Sequence, residues 1–129
     1  MKKVIILIIL GATMTVGCSV DKNDLLGKYS FTGDNVIDTL IIKQDTYIHK
    51  IYDKHSKLLY QGQDKWELDK NRIDLQNFYN NEDNELTEAL SNEDSKKFLM
   101  LTSYPIDKQN NHIIIEVNAD ENIRYEKGR

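Results

Sequence analysis

The stretch Asp64-Lys65-Trp66-Glu67-Leu68, Asp69-Lys70-Asn71, Arg72-Ile73-Asp74-Leu75-Gln76-Asn77-Phe78 carries the pattern that decides the fold. Apolar and polar residues alternate, a cluster of turn formers interrupts them, and the alternation resumes. Period two places Trp66, Leu68, Ile73 and Leu75 on one face and Lys65, Glu67 and Asp74 on the other, as in a half-buried strand. A connection this short can join only antiparallel neighbours.

Outward from this hairpin the same grammar recurs. Strands are expected at Gly27 to Thr32, Asp38 to Lys43, Thr46 to Tyr52, Leu58 to Gln61, Asp64 to Leu68, Arg72 to Phe78, Lys97 to Ser103, His112 to Val117 and Ile123 to Glu126. Turns fall at Gly33-Asp34-Asn35, Gln44-Asp45, Asp53 to Lys57, Asp69-Lys70-Asn71, Asp107 to Asn111 and Asn118 to Asn122. Many short strands at this spacing predict an all-β, antiparallel meander closing into a barrel or strongly curved sheet. Ile113, Ile115 and Val117, with Ile123 and Tyr125, are expected inside; Glu116 and Arg124 are expected outside. Lys97 to Ser103 does not alternate cleanly, since Phe98, Leu99, Met100 and Leu101 are all apolar. It reads as a strand covered on both faces or lying under the loop from Tyr79 to Lys96. That loop is expected to be largely solvated, with Leu86, Ala89 and Leu90 able to form one amphipathic helical turn.

The first residues follow different rules. Lys2 and Lys3 precede the apolar run Val4 to Leu10, and small residues lead to Thr15-Val16-Gly17-Cys18. An apolar region of roughly 13 residues falls short of the roughly 20 that span a bilayer, so it reads as a cleaved export signal. Thr15-Val16-Gly17-Cys18 resembles the lipobox of bacterial lipoproteins, with Thr15 where Leu is usual. The resemblance implies cleavage before Cys18 and acylation of its thiol and new amine, palmitate among the acyl chains. Cys18 is thus the expected lipidation site and the covalent link to the membrane. The expected organisation is residues 1–17 as signal peptide, 18–24 as lipidated cysteine and short polar tether, and 25–129 as the β domain.

Two or more acyl chains hold a protein on a membrane durably, whereas one binds marginally. At roughly 3.5 Å per residue such a tether keeps the domain within about 20 Å of the lipid. Removal of residues 1–17 leaves 112 of the 129 residues, and loss of Lys2 and Lys3 takes the formal charge from -4 to -6. An acidic body gains nothing from nucleic acid or an anionic surface. Cys18 is the single cysteine, which excludes an intramolecular disulfide. The implied address is the bacterial cell envelope; Ser19 resembles the signal for the outer membrane if the cell is Gram-negative.

Leu25-Leu26-Gly27-Lys28-Tyr29, Asp38-Thr39-Leu40-Ile41-Ile42, Thr46-Tyr47-Ile48-His49, Gly62-Gln63-Asp64-Lys65-Trp66-Glu67-Leu68, Asn71 to Phe78 and the closing Asp120 to Lys127 together resemble small lipocalin-like bacterial lipoproteins. The resemblance covers most of the mature domain. It implies a β-barrel with a Trp near its base and brings no catalytic residues with it.

Candidate chemistry is sparse. His49, Asp53 and His55 lie close together but a turn separates the histidines, and His112 is distant, so a metal site is not expected. His49 is expected on a strand surface, His55 in a turn and His112 beside Glu116. Asn118 to Asn122 begins like a calcium loop, but Ile123 stands where Gly is required and Arg129 where a carboxylate is. Carboxylate pairs such as Asp69 with Asp74, or Glu82 with Asp83, follow from the 21 acidic residues. No nucleophile elbow, H-E-x-x-H helix or phosphate loop occurs. The chain is expected to have no catalytic residues, no metal and no cofactor. Trp66, Phe31 and Phe98 are expected to fill the core, and the ligand-binding residues are unknown. Function is expected to be that of a non-enzymatic membrane-proximal binding or structural module with an envelope protein as partner. The alternatives are a lipocalin-type carrier of a small ligand and an immunity or inhibitor lipoprotein.

Overall fold

A computed structural model describes residues 20–81 and 86–128. Cys18, the segment expected to be a signal peptide and the Glu82–Asp83 pair lie outside the described residues. Eight antiparallel strands follow one another around a closed barrel, each paired with its neighbour in sequence: β1 (Gly27–Thr32), β2 (Val36–Ile42), β3 (Thr46–Asp53), β4 (Leu58–Asp69), β5 (Arg72–Tyr79), β6 (Leu99–Gln109), β7 (His112–Asn118) and β8 (Ile123–Lys127). The chain is therefore an all-β meander, as the alternation and the short connections dictate. Among the described residues two short helices accompany it, α1 (Lys22–Leu25) and α2 (Asn92–Lys96).

The hairpin read first is paired as its pattern requires, Trp66 with Leu75, Leu68 with Ile73 and Asp69 with Arg72. Trp66, Ile73, Leu75, Ile113, Ile115, Ile123 and Tyr125 are buried. The β6–β7 turn is tighter than the sequence suggests. Asn110 and Asn111 both adopt positive φ, 48° and 71°, the two-residue geometry that matches strand twist and that Asn tolerates. With only these two residues in the turn, β6 runs on through Pro105 to Gln109.

The two ends of the barrel are closed differently. At one end Val20 and Leu25 pack on Tyr29, Leu40, Ile42, Tyr47 and Trp66, so residues 20–24, expected in a polar tether, fold onto the barrel. Tyr29 donates its hydroxyl to the Leu25 carbonyl at 2.8 Å, and Lys127 Nζ donates to the Asp24 carbonyl at 2.7 Å. At the other end Val36, Ile51, Leu59 and Tyr60 form a second cluster, and Leu86 and Leu90 pack against it. Leu90 N donates to the Leu59 carbonyl at 2.8 Å. Most of the described loop residues remain exposed, as expected, while Leu86 and Leu90 anchor the loop to this end of the barrel. Its helix is α2, capped by the Ser91 hydroxyl accepting from Asp94 N at 3.1 Å, and residues 86–90 are not helical.

The expectation that Lys97 to Ser103 is covered on both faces fails. Phe98, Met100 and Leu101 are 53%, 56% and 70% exposed. Met100 has the inward parity of Thr102 and Tyr104 but lies at the rim, Leu101 has the outward parity, and Phe98 precedes the strand.

Candidate functional site

The polar chemistry of the barrel is inside it. On β2 the order Val36, Asp38, Leu40, Ile42 points inward, and on β3 Tyr47, His49, Ile51 does the same. The registers place Asp38 opposite Ile51 and Leu40 opposite His49, so the two polar residues are diagonal neighbours on one face. His49 was expected on the strand surface but is wholly buried, because its parity is that of Tyr47 and Ile51.

Asp38 Oδ1 is the hub of a three-residue network. His49 Nε2 lies 2.7 Å away, and the Tyr125 hydroxyl, reaching across from β8, donates to the same oxygen at 2.8 Å. Tyr125 Oη and His49 Nε2 are themselves 3.3 Å apart. His49 Nδ1 has no hydrogen-bond partner among the described residues. Burial pushes the Tyr125 hydroxyl well above its ordinary range, and the Asp38 charge adds to this, so the phenol remains a donor.

Aromatic rings enclose the network. His49 stacks on Phe78 with centroids 4.4 Å apart and planes 10° from parallel, while Tyr60 and Tyr125 present edges at 5.5 and 6.5 Å. Tyr60 reaches this position because β4 carries Gly62 opposite His49. A methyl group there would overlap the Tyr60 hydroxyl. Trp66 lies toward the end closed by α1 and donates Nε1–H to the Lys43 carbonyl at 2.7 Å. The lumen is thus occupied by the chain's own side chains.

The wall opens beside this network. The β4–β5 ladder covers Trp66 to Asp69 on β4, and β5 shifts register between Leu75 and Phe78, where Asn77 adopts a φ of 47°. The carbonyls that lose ladder partners there, Gln76 and Asn77, accept from the Tyr47 hydroxyl. Outside, a groove of ≈ 510 Å³ runs between β4 and α2, with Gln61, Gln63, Asp64, Asn77, Asn92 and Lys96 among its walls. The Asn77 amide donates to Asp64 at 2.9 Å, and this bond together with the Lys65 amide holds the Asp64 carboxyl below its ordinary range.

The residues singled out in the sequence are dispersed. His55 sits in the β3–β4 turn, where Asp53 Oδ1 accepts from the backbone of His55 and Lys57 at 2.8 and 2.9 Å. His112 Nε2 lies 3.7 Å from Glu126 rather than beside Glu116, because β8 places Glu126 opposite Ile114, two residues along β7 from His112 and of the same parity. Asn118 to Asn122 is a hairpin connection in which Asn118 Oδ1 accepts from Glu121 N at 3.3 Å. Among the described residues no three metal-binding side chains cluster, and no helix is long and apolar enough to cross a membrane. The Asp38–His49–Tyr125 set was missed, although the inward parity of Asp38 and His49 was there to be read. Comparison with family models, with curated proteins and with solved structures returns no match for this chain.

Proposed function

We propose that the protein is a lipid-anchored lipoprotein of the bacterial cell envelope, held through Cys18, whose lipocalin-like barrel serves as a non-enzymatic binding or structural module beside the membrane. The observation that carries this reading is the filled lumen. Asp38 and His49, the groups with chemical potential, have side chains 3% and 0% exposed, and Asp38 Oδ1 and His49 Nε2 are engaged with one another and with Tyr125. A network walled in by Phe78, Tyr60 and Tyr125 specifies the barrel rather than meeting a substrate. The anchor rests on Lys2, Lys3, Val4 to Leu10 and the lone Cys18.

The test is the intact mass and membrane fractionation of the wild type beside Cys18→Ser. Wild type in membranes, with the mass of acylated Cys18 to Arg129, and a variant that is not so processed, is the expected result. Two soluble proteins, or two uncleaved ones, overturn the anchor.

A carrier of a small polar ligand is the second reading, favoured by the groove between β4 and α2 and its amide-rich walls. Native mass spectrometry of protein extracted from its own membranes separates the two, since a carrier brings a bound small molecule with it.

A further inference from the structure

The chain joins the barrel at a fixed point. α1 is tied across its end of the barrel by contacts to separate elements. Lys22 Nζ lies 3.3 Å from Asp45 Oδ1 in the β2–β3 connection and 5.5 Å from the centroid of the Trp66 ring on β4. Asp24 Oδ2 accepts from Lys108 Nζ of β6 at 3.2 Å, and the Asp24 carbonyl accepts from Lys127 Nζ beyond it on β8. Val20, 9% exposed, belongs to the same core. Cys18 stands two positions before it. At roughly 3.5 Å per residue, about 7 Å of chain separates the cysteine from a packed residue, where a tether running to Asp24 would give about 20 Å.

We propose that the α1 end is the membrane-facing surface of the protein, resting on phospholipid headgroups and held there by the short run of chain to Cys18 rather than by an affinity of its own. The inference rests on the lipid anchor proposed above. β2 alone, Val36 to Ile42, runs roughly 20 Å from one end of the barrel toward the other, so a 7 Å leash leaves the opposite end well clear of the bilayer.

The surface chemistry of the two ends agrees with this orientation. Connections in a meander alternate between ends, so Lys43 to Asp45, Lys70 with Asn71 and Asn110 with Asn111 share the α1 end. They carry two lysines and one aspartate. At the other end Gly33 to Asn35, Lys54 to Lys57 and Ala119 to Asn122 carry three acidic residues against two lysines, and the sequence from Asn80 to Phe98 carries six against two. An anionic headgroup layer therefore repels the far end and not the near one. Apolar side chains follow the same division. Among the described residues the exposed large ones, Leu58, Phe98, Met100 and Leu101, all lie toward the far end. The α1 end thus has no apolar face with which to enter the acyl region, and it meets the membrane at headgroup level. The groove between β4 and α2, and the part of β6 before Ile106 that has no ladder to β7, face away from the lipid, where a partner in the aqueous phase can reach them.

The experiment uses the full acylated chain in vesicles of phosphatidylcholine with phosphatidylglycerol. Acylation blocks the Cys18 thiol, so an introduced cysteine is the one free to take a maleimide fluorophore. Gln44→Cys and Asn71→Cys report on the α1 end, and Asp34→Cys and Asp120→Cys on the other; all four positions are exposed. A nitroxide on the lipid headgroup is expected to quench the first two severalfold more than the second two, and a nitroxide deep in the acyl chain to quench none. Inserting about 15 Gly and Ser residues between Ser19 and Val20, with an r.m.s. length of about 20 Å, is expected to abolish the difference while the protein stays on the vesicles. Equal quenching at both ends of anchored protein overturns this inference alone, as does a difference that survives the insertion or quenching from the deep nitroxide. Protein that does not sediment with the vesicles overturns the anchor and this inference with it.

Discussion

His49 on β3 and Asp38 on β2 hold each other at 2.7 Å in the middle of the barrel, with neither side chain more than 3% exposed. A pair of this kind is costly to assemble and costlier to halve. Removing one partner of a buried ionic or charge-assisted pair strands the other without water, which typically costs about 3–5 kcal/mol. Replacing both by apolar groups of similar shape removes the penalty along with the bond.

Asp38→Ala and His49→Ala are each expected to lower unfolding free energy by about 3–5 kcal/mol, and Asp38→Leu with His49→Phe by far less. Urea denaturation of the two single variants and the double variant measures this. Additive losses would mean that the two residues do not act as a pair.

Gly62→Ala places a methyl group where the Tyr60 hydroxyl lies, with the ring carbon behind it at 2.8 Å. Tyr60 must swing away from His49, and overpacking of this sort costs about 1–3 kcal/mol. Tyr60→Phe in the same chain removes the overlapping oxygen and is expected to restore part of the loss. Thermal melts of the two variants and their combination check it.

Alkaline pH tests the aromatic filling. Burial raises the hydroxyls of Tyr29, Tyr47, Tyr60, Tyr79 and Tyr125 above their ordinary value of 10.0. Above that value the unfolded chain loses these protons while the folded chain keeps them, so the unfolded state binds fewer. Stability is then complete below pH 10 and falls as pH rises beyond it. Tyrosinate absorbance at 295 nm is expected to rise in one steep step together with loss of β-sheet dichroism. Gradual ionisation of all seven tyrosines in a folded barrel would contradict the buried positions.

At acid pH the sign reverses. Asp24 sits below its ordinary 3.8 because Lys108 Nζ donates to its carboxylate at 3.2 Å and the Asp21 amide adds a second bond. The stabilisation is present above that value and is lost as pH falls through the lowered one. Lys108→Met is expected to move the Asp24 carboxyl titration, followed by carbon NMR, back up toward 3.8. An unmoved midpoint would deny the contact between α1 and β6.

Strand identity was legible wherever one face meets the core and the other water, as in Trp66 to Leu75 and His112 to Val117. It failed where that contrast is absent. Leu58 to Gln61 and Asp64 to Leu68 look like two strands because Gly62 and Gln63 break the alternation, yet β4 is continuous. Gly62 is there for the space that Tyr60 takes, which is a tertiary cause with no local signature. Asp38 and His49 were misread for the opposite reason. Their parity marked them as inward, but residue type outweighed parity, and only the fold brings Tyr125 of β8 to the same oxygen. The slot at Asn77 and the open side of β6 are register events, invisible to any pattern confined to one strand.

The barrel closes through a seam of two residue pairs, Tyr29 with Lys127 and Ser30 with Glu126, reinforced by Gly128 N on the Lys28 carbonyl. The strands that meet there stand at the two ends of the domain, so closing the ring joins residues roughly a hundred positions apart, a loop whose entropic cost grows only logarithmically with length. Each hairpin can pair as soon as it exists, but the ring waits for its last residues. A chain whose Ile123 to Lys127 are not yet available is therefore an open curved sheet with the β1 and β7 edges bare. The interval between emergence of β7 and release of β8 is when the chain is most exposed to aggregation and to chaperones, and a stop codon in that interval leaves it so.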